Sequence, residues 1–168
     1  ILQPQVDGVF DVDGKLLIDY PKQELVYIYA YRNQFTRINR NLKIRSRSTT
    51  IDTITQAQIS IASLKNGKQK KLAKPALMVN KSAAVYGGLL FVHSGILGRY
   101  EPRDMWEVAS IVDVYNLEEG SYLTSIYIHD MNRKKMNSFV IAGNRLYALA
   151  GTQLAVYELD ALITSHYK

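Results

Sequence analysis

The sequence predicts an all-β protein built of repeated four-stranded antiparallel sheets. Three observations predict it. Short runs of β-branched and aromatic residues dominate the chain, turn-forming pairs punctuate them, and a strand–turn–strand unit recurs along the sequence.

Taken in order, Leu25 to Tyr31 is a β-branched and aromatic run too short for a free-standing helix. Gln34 to Asn39 alternates polar and apolar residues, as a half-exposed strand does. The same alternation marks Gln58 to Ala62, Ser110 to Tyr115 and Tyr122 to Ile128. Between these runs sit Asp13-Gly14, Arg32-Asn33, Asn66-Gly67, Glu119-Gly120 and Gly143-Asn144, which favour tight turns. No segment sustains a helical period with caps at its ends.

Self-similarity carries more information than any single run. Gly87 to Gly95 resembles Gly143 to Gly151, and each is followed by a second strand, Val112 to Leu117 and Leu154 to Leu159. A weaker copy runs from Gly14 to Tyr20 and continues at Glu24 to Tyr29. The unit is a turn glycine, an apolar strand, a second turn, and an alternating strand that ends near a tyrosine. Its spacing, stretched by insertions, is roughly the 40–50 residues of a β-propeller blade. Repetition has a physical reason, because a lone four-stranded sheet cannot bury both faces, whereas stacked sheets can. The reading is therefore a partial propeller over residues 1–168. Blade-like copies fall at about 5–50, 76–130 and 136–168, with a connecting segment at about 51–75. After Tyr115, Asn116 to Gly120 is the turn and Ser121 to Ile128 the outer strand of the middle copy.

The phrase Ile111 to Leu123 resembles the strand pairs of six-bladed propellers of the TolB-like and NHL-repeat kind. The longer pattern is similar to uncharacterised exported propellers of Bacteroidetes. It includes Tyr29 to Phe35, Thr50 to Thr53, Val79 to Lys81 and Asp104 to Glu107. The resemblance implies six blades, of which about three are counted, and a periplasmic or cell-surface location. The remaining blades are then expected from residues outside this sequence or from another copy. The first residue, Ile1, fits an incomplete or processed chain.

Composition excludes several classes. Of 168 residues, 47% are hydrophobic and 21% charged, the balance of a folded globular protein. No run approaches the roughly 20 apolar residues of a membrane-spanning helix. The absence of cysteine excludes disulfides, thiolate metal sites and thiol nucleophiles within this stretch. The net charge of +6 is unevenly spread, acidic before Tyr31 and basic from Arg32 to Lys81. Solvated outer strands account for most of that basic stretch. Tyr31 and Phe35 lie among its arginines, a mixture that can bind nucleic acid, but one buried strand face produces the same pattern. A nucleic-acid partner is accordingly disfavoured, and a polyanion binder is the weakest of the readings kept.

No catalytic constellation, cofactor motif or metal motif emerges. His93, His129 and His166 are separated by whole strands, without paired ligand spacing. His93 follows an apolar strand and reads as structural, while His129-Asp130 ends a strand and points to a channel or rim. Asp11 and Asp13 beside Gly14 suggest a calcium loop only superficially, since the twelve-residue pattern with its late Glu is absent. Asp13-Gly14 reads as a hairpin turn, and Gly87-Gly88 is too short to cradle a phosphate.

One segment is unexplained by the repeat. Ile96 to Glu107 is inserted between the two strands of the middle copy, where the last copy has only Gly151-Thr152. It holds the single tryptophan, and Arg99, Tyr100, Glu101, Arg103 and Trp106 are the candidate binding residues. Long loops on rigid scaffolds carry binding residues, and Trp, Tyr and Arg dominate hot spots. The expected function is a non-enzymatic binding or scaffolding module that engages a protein or polymeric ligand. Self-association, or pairing with the missing blades, is expected from an exposed blade edge. The alternative is a hydrolase or lactonase centred on a propeller channel and completed by blades outside this chain.

Overall fold

The computed structural model describes residues 1–64 and 69–168. It is nearly all-β, with four antiparallel sheets. The first contains β1 (Gly14–Asp19), β2 (Glu24–Tyr29), β3 (Gln34–Asn39) and β4 (Ile44–Thr49) in sequence order. A small hairpin follows, β5 (Ile61–Leu64) with β6 (Gln69–Leu72). The second large sheet runs β7 (Asn80–Tyr86), β8 (Leu89–Ser94), β9 (Ala109–Asn116) and β10 (Ser121–His129). The third has β11 (Ser138–Ala142), β12 (Arg145–Ala150) and β13 (Gln153–Glu158). Two short helices complete the chain, α1 (Arg103–Val108) and α2 (Ala161–Thr164).

Most of the expected runs are strands because each has apolar side chains to bury, Gln58–Ser60 excepted. β8 is the clearest case, being buried along its whole length. Its Leu89 and Phe91 point into a cluster with Val112, Val114, Phe139, Leu146 and Ala148, between the second and third sheets. Its Leu90 and Val92 point the other way, toward Val26, Ile28, Phe35 and Tyr115, between the first and second. The second sheet is thus sandwiched, and each such buried side chain contributes about 1.5–3 kcal/mol. β7 lies against β1 on one side and against β11 on the other, so the first strands of the three large sheets sit together.

Polar contacts fix the first sheet on the second. Asp19, fully buried, accepts from the backbone N–H groups of Gly87 (3.1 Å) and Gly88 (2.7 Å) at the β7–β8 turn. Asn80 Nδ2 donates to the carbonyls of Tyr29 (2.7 Å) and Arg32 (3.0 Å). Arg37 pairs with Glu24 of its own sheet and with Glu118 (2.8 Å) beyond β9. From the far end of the chain, Tyr167 stacks edge-on against Tyr86 and donates to the Gly143 carbonyl, while Lys168 N–H donates to Gly87 O.

The structure differs from the expected repeat in four ways. The weak copy, Gly14 to Tyr29, falls on the first and second strands of its sheet, whereas the two strong copies fall on the second and third. A turn glycine followed by an apolar run marks any hairpin, so that pattern alone does not set the register. The last copy forms three strands rather than four. The connecting segment holds the β5–β6 hairpin, which starts near the end of the alternating Gln58–Ala62 run, and the expected Asn66-Gly67 turn lies outside the described residues. Both helices went unforeseen, as six and four residues are too few to show a period.

Candidate functional site

The inserted segment springs from the two most buried strands of the molecule, β8 and β9. Its first bend is dictated at Gly95, where a Cβ would lie 1.9 Å from the carbonyl oxygen of Met78. Ser94 Oγ then donates to Ile96 O (2.8 Å), and Glu101 N–H donates to Gly98 O (3.2 Å) in a tight turn. Pro102 precedes α1 and accepts from Trp106 N–H (3.1 Å).

The structure divides the five candidate residues. Trp106 is half-buried and turned inward, with Lys81 Nζ of β7 at 5.3 Å from its ring centroid. Lys135 Nζ clamps the helix end by donating to the carbonyls of Trp106 (2.7 Å), Glu107 (3.3 Å) and Ala109 (3.0 Å). Burial pushes the Lys81 amine down, and the neighbouring Lys135 charge adds to the effect. Glu101 accepts from the Tyr127 hydroxyl of β10, whose pKa that bond, with burial, pushes up to about 12. The remaining three face solvent: Arg99 lies over the Tyr100 ring (5.6 Å), Tyr100 is 90% exposed, and Arg103 is exposed on α1. The loop therefore has an anchored half, Glu101 and Trp106, and a cationic-aromatic tip.

The contacts that Lys81 on β7, Tyr127 on β10 and Lys135 between β10 and β11 make with the loop escaped the sequence reading, since they join distant segments and carry no local motif. Below the loop, Asp52, Glu101 and Asp113 line one small cavity with Ser94, Gly98 and Ile111. Burial, then the charges of Asp52 and Glu101, raise the Asp113 carboxyl to about 6, against a lowering by the Ser125 hydrogen bond. Asp52 is also pushed up by burial. No group of three or more His, Cys, Asp or Glu suited to a metal ion occurs among the described residues.

The histidines stay apart. His93 is buried within β8 beside Ser82 Oγ (3.4 Å), and burial with the charges of Lys81, Lys135 and Lys15 pushes it down to about 4. His129 is exposed at the end of β10, and His166 is exposed beyond α2. Asp11 is bound by its own segment, accepting from the N–H groups of Gln5, Val6 and Gly8. Besides Lys81, two cations of the basic stretch have internal tasks: Arg32 is buried over the Tyr29 ring (3.6 Å), and Arg37 makes the ion pairs described above. Arg40, Lys43, Arg45 and Arg47 are exposed.

No family model and no curated protein matches the chain. Among solved structures, the computationally designed Ika4 protein is similar at a TM-score of 0.37 and 11% identity, over 88% of this chain and 92% of that one. Hsv2 of Kluyveromyces lactis is similar at a TM-score of 0.26 and 11% identity, over 86% of this chain and 61% of that one. At these scores neither likeness bears on fold or function.

Proposed function

We propose that the three large sheets are successive blades of a propeller of the six-bladed, TolB-like or NHL-like kind. We further propose that the chain is a non-enzymatic binding module, exported to the periplasm or cell surface, which engages a protein or polymeric ligand through the loop between β8 and β9. The grouping of β1, β7 and β11, with face-to-face packing of the sheets between them, supports the blade reading. One observation carries the binding reading: an exposed Arg99–Tyr100–Arg103 tip held on two fully buried strands. A rigid base lowers the ordering cost of binding, and arginine with tyrosine supplies charge and flat apolar area together.

The test compares the wild-type chain with an Arg99→Ala/Tyr100→Ala/Arg103→Ala variant on arrays of polysaccharides and of acidic, basic and neutral peptides. All three positions are exposed, so the variant should fold as the wild type does, which circular dichroism checks. At least one ligand class should bind the wild type and lose about tenfold or more in the variant, equivalent to about 1.4 kcal/mol. Equal binding of every ligand by both proteins would remove the loop assignment.

A further inference from the structure

The three large sheets treat their outermost edges differently. β4, the outer strand of the first sheet, carries Arg45 and Arg47 and is broken by a register shift opposite Arg37/Ile38. β10, the outer strand of the second, has a register shift between Tyr122 and Thr124. Bulges and charged residues of this kind blunt an edge against further pairing. β13 has neither. Its six residues, Gln153 to Glu158, pair in unbroken register with β12 and contain no Lys, Arg or Pro. Among the described residues no strand lies on its other side, so alternate N–H and C=O groups along that edge lack ladder partners.

At the C-terminal end of β13, beside Tyr157 and Glu158, opens a groove of about 680 Å³. Leu123 and Ile126 of β10 form one wall, and Tyr157, Leu162 and Ile163 form the other. Glu158 and Asp160 stand at the rim. A strand laid beside β13 would bring the side chains near Tyr157 and Glu158 to the wall formed by Leu123 and Ile126. Pairing along all six residues of β13 spans about 20 Å.

We propose that the β13 edge is a strand-addition site for an extended segment of a partner polypeptide. Its residues alternate apolar and polar, with a basic residue where it passes Glu158 and Asp160. Main-chain hydrogen bonds to β13 supply the affinity, and the apolar wall selects the register. This site is separate from the β8–β9 loop and does not rest on it.

The probe is a fluorescent eight-residue peptide alternating valine with threonine and ending in lysine, titrated against the full 168-residue chain. Two N-methylated versions are compared, one blocked on the residues that face β13 and the other on the alternate set. Saturable binding is expected, with at least tenfold loss for one methylated set and little for the other. Amide hydrogens of Gln153 to Glu158 should slow in exchange when the peptide is added. Leu162→Asp, at a position 79% exposed, should weaken the peptide about tenfold without unfolding the chain. Absence of binding at millimolar peptide overturns the proposal, as does binding indifferent to which edge is methylated. Protection of β13 that grows with protein concentration in the absence of peptide also overturns it, by assigning the edge to a second copy.

Discussion

Ser125 Oγ donates a 2.6 Å hydrogen bond to Asp113 Oδ1 across the β9–β10 pair, directly beneath the candidate binding loop. The carboxyl it meets is buried, with a pKa raised from 3.8 to about 6. Between those values the folded chain holds more protons than the unfolded one. Stability should therefore fall as pH rises through that window, by about 3 kcal/mol, and level off above it. Asp113→Asn keeps an acceptor for Ser125 and removes the titration. Urea denaturation at a series of pH values should show this variant more stable than the wild type above pH 6. Equal stabilities there would contradict the burial account.

His93 works in the opposite sense. Its imidazole, lowered from 6.5 to about 4, is neutral in the fold and protonated in the unfolded chain over that interval. Its contribution is complete above the unfolded value and is lost as pH falls toward the folded one, again by about 3 kcal/mol. From pH 4 to 6 the two slopes nearly cancel in the wild type. His93→Gln should reveal the fall with pH, and Asp113→Asn the rise. Identical slopes in both variants would show that neither group governs acid stability.

Gly95→Ala should be severe for its size. The added methyl group meets the carbonyl oxygen of Met78, which as backbone has little room to retreat. A loss of more than about 2 kcal/mol is expected, within the range of steric faults at constrained positions. Thermal melting measures it, and a melting temperature within a degree of the wild type would exclude the clash.

Arg37 should matter more than an ordinary surface charge. Its side chain is 14% exposed and its partner Glu24 is 13% exposed, so removing the guanidinium leaves that carboxylate only the exposed Arg45, at 3.9 Å. Arg37→Met is expected to lose about 2 kcal/mol, with part recovered when Glu24→Gln is added. A double-mutant cycle with zero coupling would place the pair among contacts without consequence.

Much of the strand content was readable, since Leu25 to Tyr29, Ser110 to Tyr115 and Leu89 to Ser94 combine β-branched residues with turn signals at their ends. The loop was readable by exclusion, as the one segment the repeat did not explain. Its wiring was not. Trp106 meets Lys81 from 25 residues earlier and Lys135 from 29 residues later, separations that leave no local pattern. The end of the third sheet did carry a local signal. Asp160 accepts from Leu162 N–H at 2.7 Å as a helix cap, which turns the chain away before a fourth strand can begin. The strand-to-strand alternation before it drew the reading past that residue.

The contacts on the Gly87–Gly88 turn bear on how the molecule melts. Stacked repeats joined only by greasy faces can fray one at a time from either end. Here a carboxylate from the first sheet and the backbone of Lys168, which follows the third, grip the same two-residue turn of the second. Losing either outer sheet also frees that turn, so the energetic penalty is shared among all three. A single calorimetric transition follows, in place of a staircase of three.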